Sequence, residues 1–180
     1  MVEAWKPAWS IRDLAVSAPQ VRASLLLRVR APTAATFEAL GARFDGAWPV
    51  TPNTASGRSP QILWLSPEEW LLAGGETARV RAALDLALRD HLHFVSDVTA
   101  GRVTFVISGD RARDLLARGC SLDLHPRVFP PDRCAQTLFA HIPGLIQRVD
   151  GLHGFELTVD AVYQDHIATW MAAIRDRAEA

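Results

Sequence analysis

One order of elements runs twice through this 180-residue chain: strand, helix, strand, strand, helix, strand, with the closing elements of the second pass reordered. In the first pass SLLLRVR (24–30) predicts a strand. Thr33 then offers an N-cap to a short helix that carries Phe37 and Leu40 and stops at Gly41. WPVTPNTASGRSP (48–60), with its prolines, hydroxyl pairs and glycine, reads as a surface loop. QILWL (61–65) is the second strand. In SPEEWLLAGG, Ser66, Pro67 and Glu69 have the spacing of a capping box, which predicts a brief helical turn before Trp70, Leu71 and Leu72 resume an extended pattern. TARVRAALDLALRDHL places Val80, Ala83, Leu84, Ala87 and Leu88 on one helical stripe, and FVSDVT (94–99) returns as a strand.

After Gly101 the order recurs. VTFVI (103–107) alternates, with Val103, Phe105 and Ile107 on one side. Asp110 is placed to cap RARDLLARG, whose Ala112, Leu115 and Leu116 face inward and whose Gly119 stops it. A loop with Pro126, Pro130 and Pro131 leads into TLFAHI (137–142), LIQRV (145–149) and FELTV (155–159). Asp160 is placed to cap a last helix with Tyr163, Ile167, Trp170, Met171 and Ile174 on one stripe. The reading is an α+β domain over residues 25–180, built from two split β-α-β halves at about 25–99 and 101–177. An irregular arm, residues 1–24, precedes it. Trp5 and Trp9 would be wasted in a floppy arm, so they are expected to dock onto the domain or onto a partner.

With 49% hydrophobic and 22% charged residues, the chain can bury a sizeable core. Nineteen basic and twenty acidic residues leave a net charge of −1. No field of one sign is available to gather nucleic acid or anionic lipid, so neither partner is expected. The start, MVEAWKPAWSIRDL, lacks a basic segment followed by an apolar run, and no apolar stretch approaches the ~20 residues of a membrane span. Two cysteines do not make a secreted scaffold, and the expected setting is a reducing cytoplasm.

Candidate chemistry reduces to a few groups. A reactive thiol needs a lowered pKa from a cation or a helix N-terminus. Cys120 instead follows a helix C-terminus, where the dipole opposes a thiolate, and Cys134 enters a strand. His91 and His93 share a strand-like spacing, but no third ligand of obvious type lies nearby, and a structural zinc takes four. His125 reads as a turn residue before Pro126. No GxSxG elbow, GxGxxG or GxxxxGK[ST] loop is present in the sequence. On these residues alone no active site is visible, and Asp123 reads as a residue bonding turn amides.

The segment SGDRARDLLARGCSLDLHPRVFPPDRCAQT closely resembles the gamma-subunit family of heterotetrameric sarcosine oxidases. The carrying residues are Gly109, Ala112–Leu116, the Gly119–Cys120 pair, Leu122–Pro126 and, after Phe129, Arg133–Thr137. LWLSPEEWLL (63–72), SDVTAGRVTFVISG (96–109) and the closing FELTV with its Trp170-bearing helix agree, so the resemblance spans about residues 60–175.

The resemblance implies a fold like the folate-binding domain of the glycine-cleavage aminomethyltransferase, a duplicated ferredoxin-like (β-α-β-β-α-β) unit. It also implies a chain that holds no cofactor and packs as a scaffold against alpha and beta subunits, in a heterotetramer completed by delta. Sarcosine would be demethylated to glycine on those partners, with formaldehyde or 5,10-methylenetetrahydrofolate and hydrogen peroxide as the other products. FAD, FMN, NAD and tetrahydrofolate would all sit there. Trp5, Trp9, Trp48, Arg127 and Phe129 are then the expected interface residues. The alternative is a stand-alone folate-dependent one-carbon transfer protein or assembly factor of the same fold, with Asp123 as its acid.

Overall fold

Short strands already form within the supposed arm. In the computed structural model, which describes residues 7–44, 46–149 and 154–179, Pro7–Ile11 is β1 and Leu14–Ser17 is β2, paired as an antiparallel hairpin. The expectation of an irregular arm is therefore corrected. Each strand has five residues or fewer, too few for a clear alternation, and the anchoring partner of β2 lies some ninety positions away in the chain. The chain divides into two units, one spanning Arg22–Ala100 and the other combining the N-terminal stretch with everything from Gly101 onward.

The unit from Arg22 begins with β3 (Ser24–Val29), where Leu25, Leu27 and Val29 point to one side and are buried. Helix α1 (Ala34–Gly41) starts as its sequence predicts. Thr33 Oγ1 accepts from the Thr36 amide at 3.4 Å, and Thr36 Oγ1 accepts from the Thr33 amide at 3.0 Å. Then follow β4 (Ala55–Ser56), β5 (Gln61–Ser66), β6 (Glu69–Ala73), α2 (Thr77–Ala87) and β7 (His93–Asp97). The sheet order is β4-β5-β6-β3-β7, antiparallel at every pairing. Trp70, Leu72, Ile62, Val80, Leu84 and Leu88 close the core over one face.

The expected helical turn at Ser66–Glu69 is absent. Ser66 pairs with Glu69, leaving Pro67–Glu68 as a two-residue hairpin turn. A Ser-Pro-Glu-Glu run suits a capping box and a tight turn equally, because proline presets the φ that both need. The alternation of Trp70 and Leu72 into the core decides for the strand. Glu69 then reaches across the strand pair to Arg28 at 3.0 Å, and Glu68 accepts from the Ala31 amide at 2.7 Å.

The second unit continues the N-terminal hairpin. β2 pairs antiparallel with β8 (Arg102–Ser108), through Ala15 opposite Ser108 and Val16 opposite Ile107. After α3 (Ala112–Ala117) come β9 (Cys134–Phe139), β10 (Ile142–Val149), β11 (Gly154–Asp160) and α4 (Gln164–Glu179). The sheet order is β1-β2-β8-β11-β10-β9. The predicted strand 137–142 is cut at Ala140–His141, whose φ values of 49° and 69° make the tight reversal between β9 and β10. Asp110 and Asp160 do not cap. Arg111 holds the N-cap position of α3, and neither helix start carries a side-chain cap bond. Val103, Phe105, Ile107, Phe155, Leu157, Val159, Ile167 and Met171 form the core on one face, joined by Ile11, Leu14 and Val16 from the hairpin.

Candidate functional site

The segment between α3 and β9 carries most of the polar groups singled out from sequence, and its backbone absorbs them. Asp123 is exposed, and its Oδ1 accepts from the His125 amide at 2.9 Å. His125 Nδ1 accepts in turn from the Arg127 amide at 3.2 Å. The His125 carbonyl takes the amides of Val128 and Phe129 at 2.9 and 2.8 Å. This is a chain of local turns around Pro126, in which the side chains of Asp123 and His125 each satisfy an amide two residues on.

Phe129 is 6% exposed and stacks against Phe155, with ring centroids 6.3 Å apart. It cannot serve as the apolar surface expected of it, because the loop folds its ring into the core. Its neighbours Arg127 and Val128 are the exposed part of the turn. Arg148 on β10 ties the loop down. Its Nη1 donates to the Phe129 carbonyl at 3.0 Å and its amide donates to the Arg133 carbonyl at 3.0 Å. Nothing in the sequence marks Arg148, since it lies about twenty positions from the carbonyl it holds.

Trp48 is also corrected as an interface residue. It is 4% exposed, edge-on to Phe44 at 5.7 Å and to Trp70 at 5.8 Å. Its setting among prolines, threonines and serines suggested a surface loop, but an aromatic cluster made with residues of other elements draws it inward. Trp9 is half-buried on the core of its own unit, and the Arg175 guanidinium lies 5.6 Å over its ring. Trp5 lies outside the described residues. The exposed apolar groups that sequence reasoning missed include Leu92 and Phe94, 73% and 67% exposed, the second on edge strand β7.

Cys120 is half-buried, its Sγ 3.4 Å from the Leu116 carbonyl. Desolvation pushes the thiol pKa up, outweighing a Leu122 backbone bond that lowers it. At neutral pH it is a protonated thiol and a poor nucleophile. Cys134 is buried at the start of β9. His91 and His93 diverge: His91 Nε2 meets Thr36 Oγ1 at 2.8 Å, whereas His93 Nε2 meets Asp85 at 3.2 Å. Among the described residues no group of three or more His, Cys, Asp or Glu could hold a metal ion. None of their helices is long and apolar enough to cross a membrane.

Comparison with known proteins gives these local features a context. The family model described as "Sarcosine oxidase, gamma subunit family" matches residues 29–177. The sarcosine oxidase subunit gamma of Corynebacterium sp. (strain P-1) is 33% identical over 138 residues, spanning 77% of this chain and 66% of that one. The subunit of the same name from Corynebacterium sp. (strain U-96) is 31% identical over 162 residues, spanning 88% and 78%. A chain of the heterotetrameric sarcosine oxidase from Corynebacterium sp. U-96, solved in complex with pyrrole 2-carboxylate, matches with a TM-score of 0.83 at 26% identity. That match covers 97% of this chain and 89% of the other. Aminomethyltransferase T of the glycine cleavage system from Bartonella henselae matches at 0.64 and 15% identity, over 88% of this chain and 45% of that one, a likeness of fold alone.

Proposed function

The chain belongs to the sarcosine oxidase gamma-subunit family, and from that premise we propose that it is the gamma chain of a heterotetrameric oxidase of sarcosine, built in as a structural subunit that does no chemistry itself. The observation that carries this is the agreement, over 97% of the chain at a TM-score of 0.83, with a chain of such a heterotetramer. Demethylation of sarcosine, the flavins FAD and FMN, NAD and tetrahydrofolate belong on this reading to alpha, beta and delta subunits in the cytoplasm.

The local chemistry supports a passive role. Asp123, the acid that a folate-dependent reading would use, is turned onto the His125 amide. Burial keeps the Cys120 thiol protonated, and the two histidines of the 91–93 pair are bonded apart.

The strand orders support a duplicated ferredoxin-like reading. β4-β5-β6-β3-β7 and β9-β10-β11-β8-β2 correspond position by position. Helices α1 and α3 follow equivalent strands, as do α2 and α4. The second unit is then a permuted copy, in which β2, from the start of the chain, fills the place that β7 fills in the first. Both copies make up one aminomethyltransferase-like domain.

The test is recovery of a tagged chain from its native host. The expected result is co-purification with flavin-containing subunits and sarcosine-dependent peroxide formation. Recovery of the chain alone, or one-carbon transfer by a preparation free of flavoprotein, overturns the proposal.

A further inference from the structure

A polar cavity of about 220 Å³ opens beside the loop that Arg148 holds down. Gly109, Asp110, Arg113, Pro126, Arg148 and Phe155 line it. Among the described residues of the lining, two guanidiniums stand against one carboxylate, a net positive balance. Arg148 is half-buried and fixed through its bond to the Phe129 carbonyl. Arg113, on α3, is exposed and has no counter-ion among the described residues.

The backbone at and beside the walls is closely packed. Gly109 sits at φ 101°, where a Cβ would lie 2.2 Å from the Asp13 carbonyl oxygen. A Cβ at Gly154, beside Phe155, would lie 2.6 Å from the Ile107 carbonyl oxygen. A pre-positioned guanidinium with a second one free to swing beside it suits a carboxylate, which takes such forks through two parallel bonds.

We infer that this cavity is a docking socket for an acidic side chain, Asp or Glu, presented by a partner subunit. The inference rests on the hetero-oligomeric reading above. Pro126 in the lining is itself exposed, and Arg127 and Val128, the latter 55% exposed, continue the same turn. That combination resembles a protein interface, with an apolar contact beside an Arg-anchored polar one. Asp110, exposed in the same lining, opposes capture of a lone free anion and can accept a backbone N–H from a docked peptide.

The experiment uses the whole chain reconstituted with its alpha, beta and delta subunits. Arg113→Glu should keep the wild-type thermal midpoint, since Arg113 is exposed, while association weakens by roughly tenfold or more as a charge pair becomes a repulsion. Arg113→Lys should keep part of the affinity and lose the bidentate share. Sodium acetate titrated into the isolated chain, followed by the Arg113 and Arg148 side-chain NMR signals, separates the two sources of a carboxylate. Wild-type assembly by Arg113→Glu overturns the inference and leaves the proposed subunit role intact. Saturable acetate binding together with such normal assembly reassigns the cavity to a free small carboxylate. Failure of the wild-type chain itself to assemble defeats the proposed subunit role and the inference with it.

Discussion

The indole N–H of Trp70 donates to the carbonyl of Pro49 at 2.8 Å, inside the unit and away from water. This bond, together with edge-on contacts from Phe37 and Trp48 at 5.8 Å each, draws the start of the proline-rich loop onto the sheet. Trp70→Phe removes the donor, strands a buried acceptor and leaves a void. The expected loss is about 2–4 kcal/mol of unfolding free energy. Urea unfolding measures it, and a loss under about 1 kcal/mol would show that the bond does not anchor the loop.

Gly109→Ala is expected to cost more than about 2 kcal/mol, because the φ of 101° strains any L side chain and the new methyl would meet the Asp13 backbone. The Arg111 amide bonds the same Asp13 carbonyl at 3.1 Å, so relaxation there would disturb a second contact. Hydrogen exchange should show the β1–β2 amides opening faster than those of β3–β7. A variant as stable as wild type, with unchanged exchange, would contradict this account of the hairpin's anchorage.

Legibility followed the range of the interaction. The alternation in VTFVI put Val103, Phe105 and Ile107 on one side, and in the structure that side is core. The stripe of Val80, Leu84 and Leu88 was equally plain, since helical periodicity is written in neighbouring residues. The hairpin β1–β2 was not legible, because both strands are short and the strand that anchors β2 lies some ninety positions on. Trp48 and Phe129 were misjudged for the same reason: the rings that cover them belong to other elements. At the loop, the local turn role of Asp123 and His125 could be read in advance, whereas the tie from Arg148 could not.

Asp123→Asn should be almost silent. An asparagine Oδ1 accepts the His125 amide as the carboxylate does, and the position is exposed, so the stability change should stay within about 0.5 kcal/mol. Sarcosine turnover by the assembled complex should be unchanged. A large fall in turnover with normal assembly would return Asp123 to the list of catalytic candidates.

Asp97 gives a signed pH dependence. Bonds from the Thr99 side chain and amide, the latter at 2.9 Å, hold its carboxyl below the ordinary value of 3.8, with Arg81 adding a smaller pull and slight desolvation opposing. A carboxyl lowered in the folded state contributes stability that is present above its unfolded pKa and lost as pH falls through the folded one. Asp97→Asn should therefore be less stable than wild type at neutral pH, with the gap closing in the acid range below 3.8. Thermal melts across that range decide it, and a gap constant with pH would exclude the mechanism.

Because β2 is made early and β8 only after residue 101, the ribosome releases the two partners far apart in time. The intervening stretch, Arg22–Ala100, carries every strand of its own sheet and is complete before β8 emerges. The first-made hairpin must then wait, solvent-facing, until the last-made sheet arrives to receive it. Nascent chains stalled just as Ala100 clears the ribosome should thus show a protease-sensitive leader ahead of a protected middle.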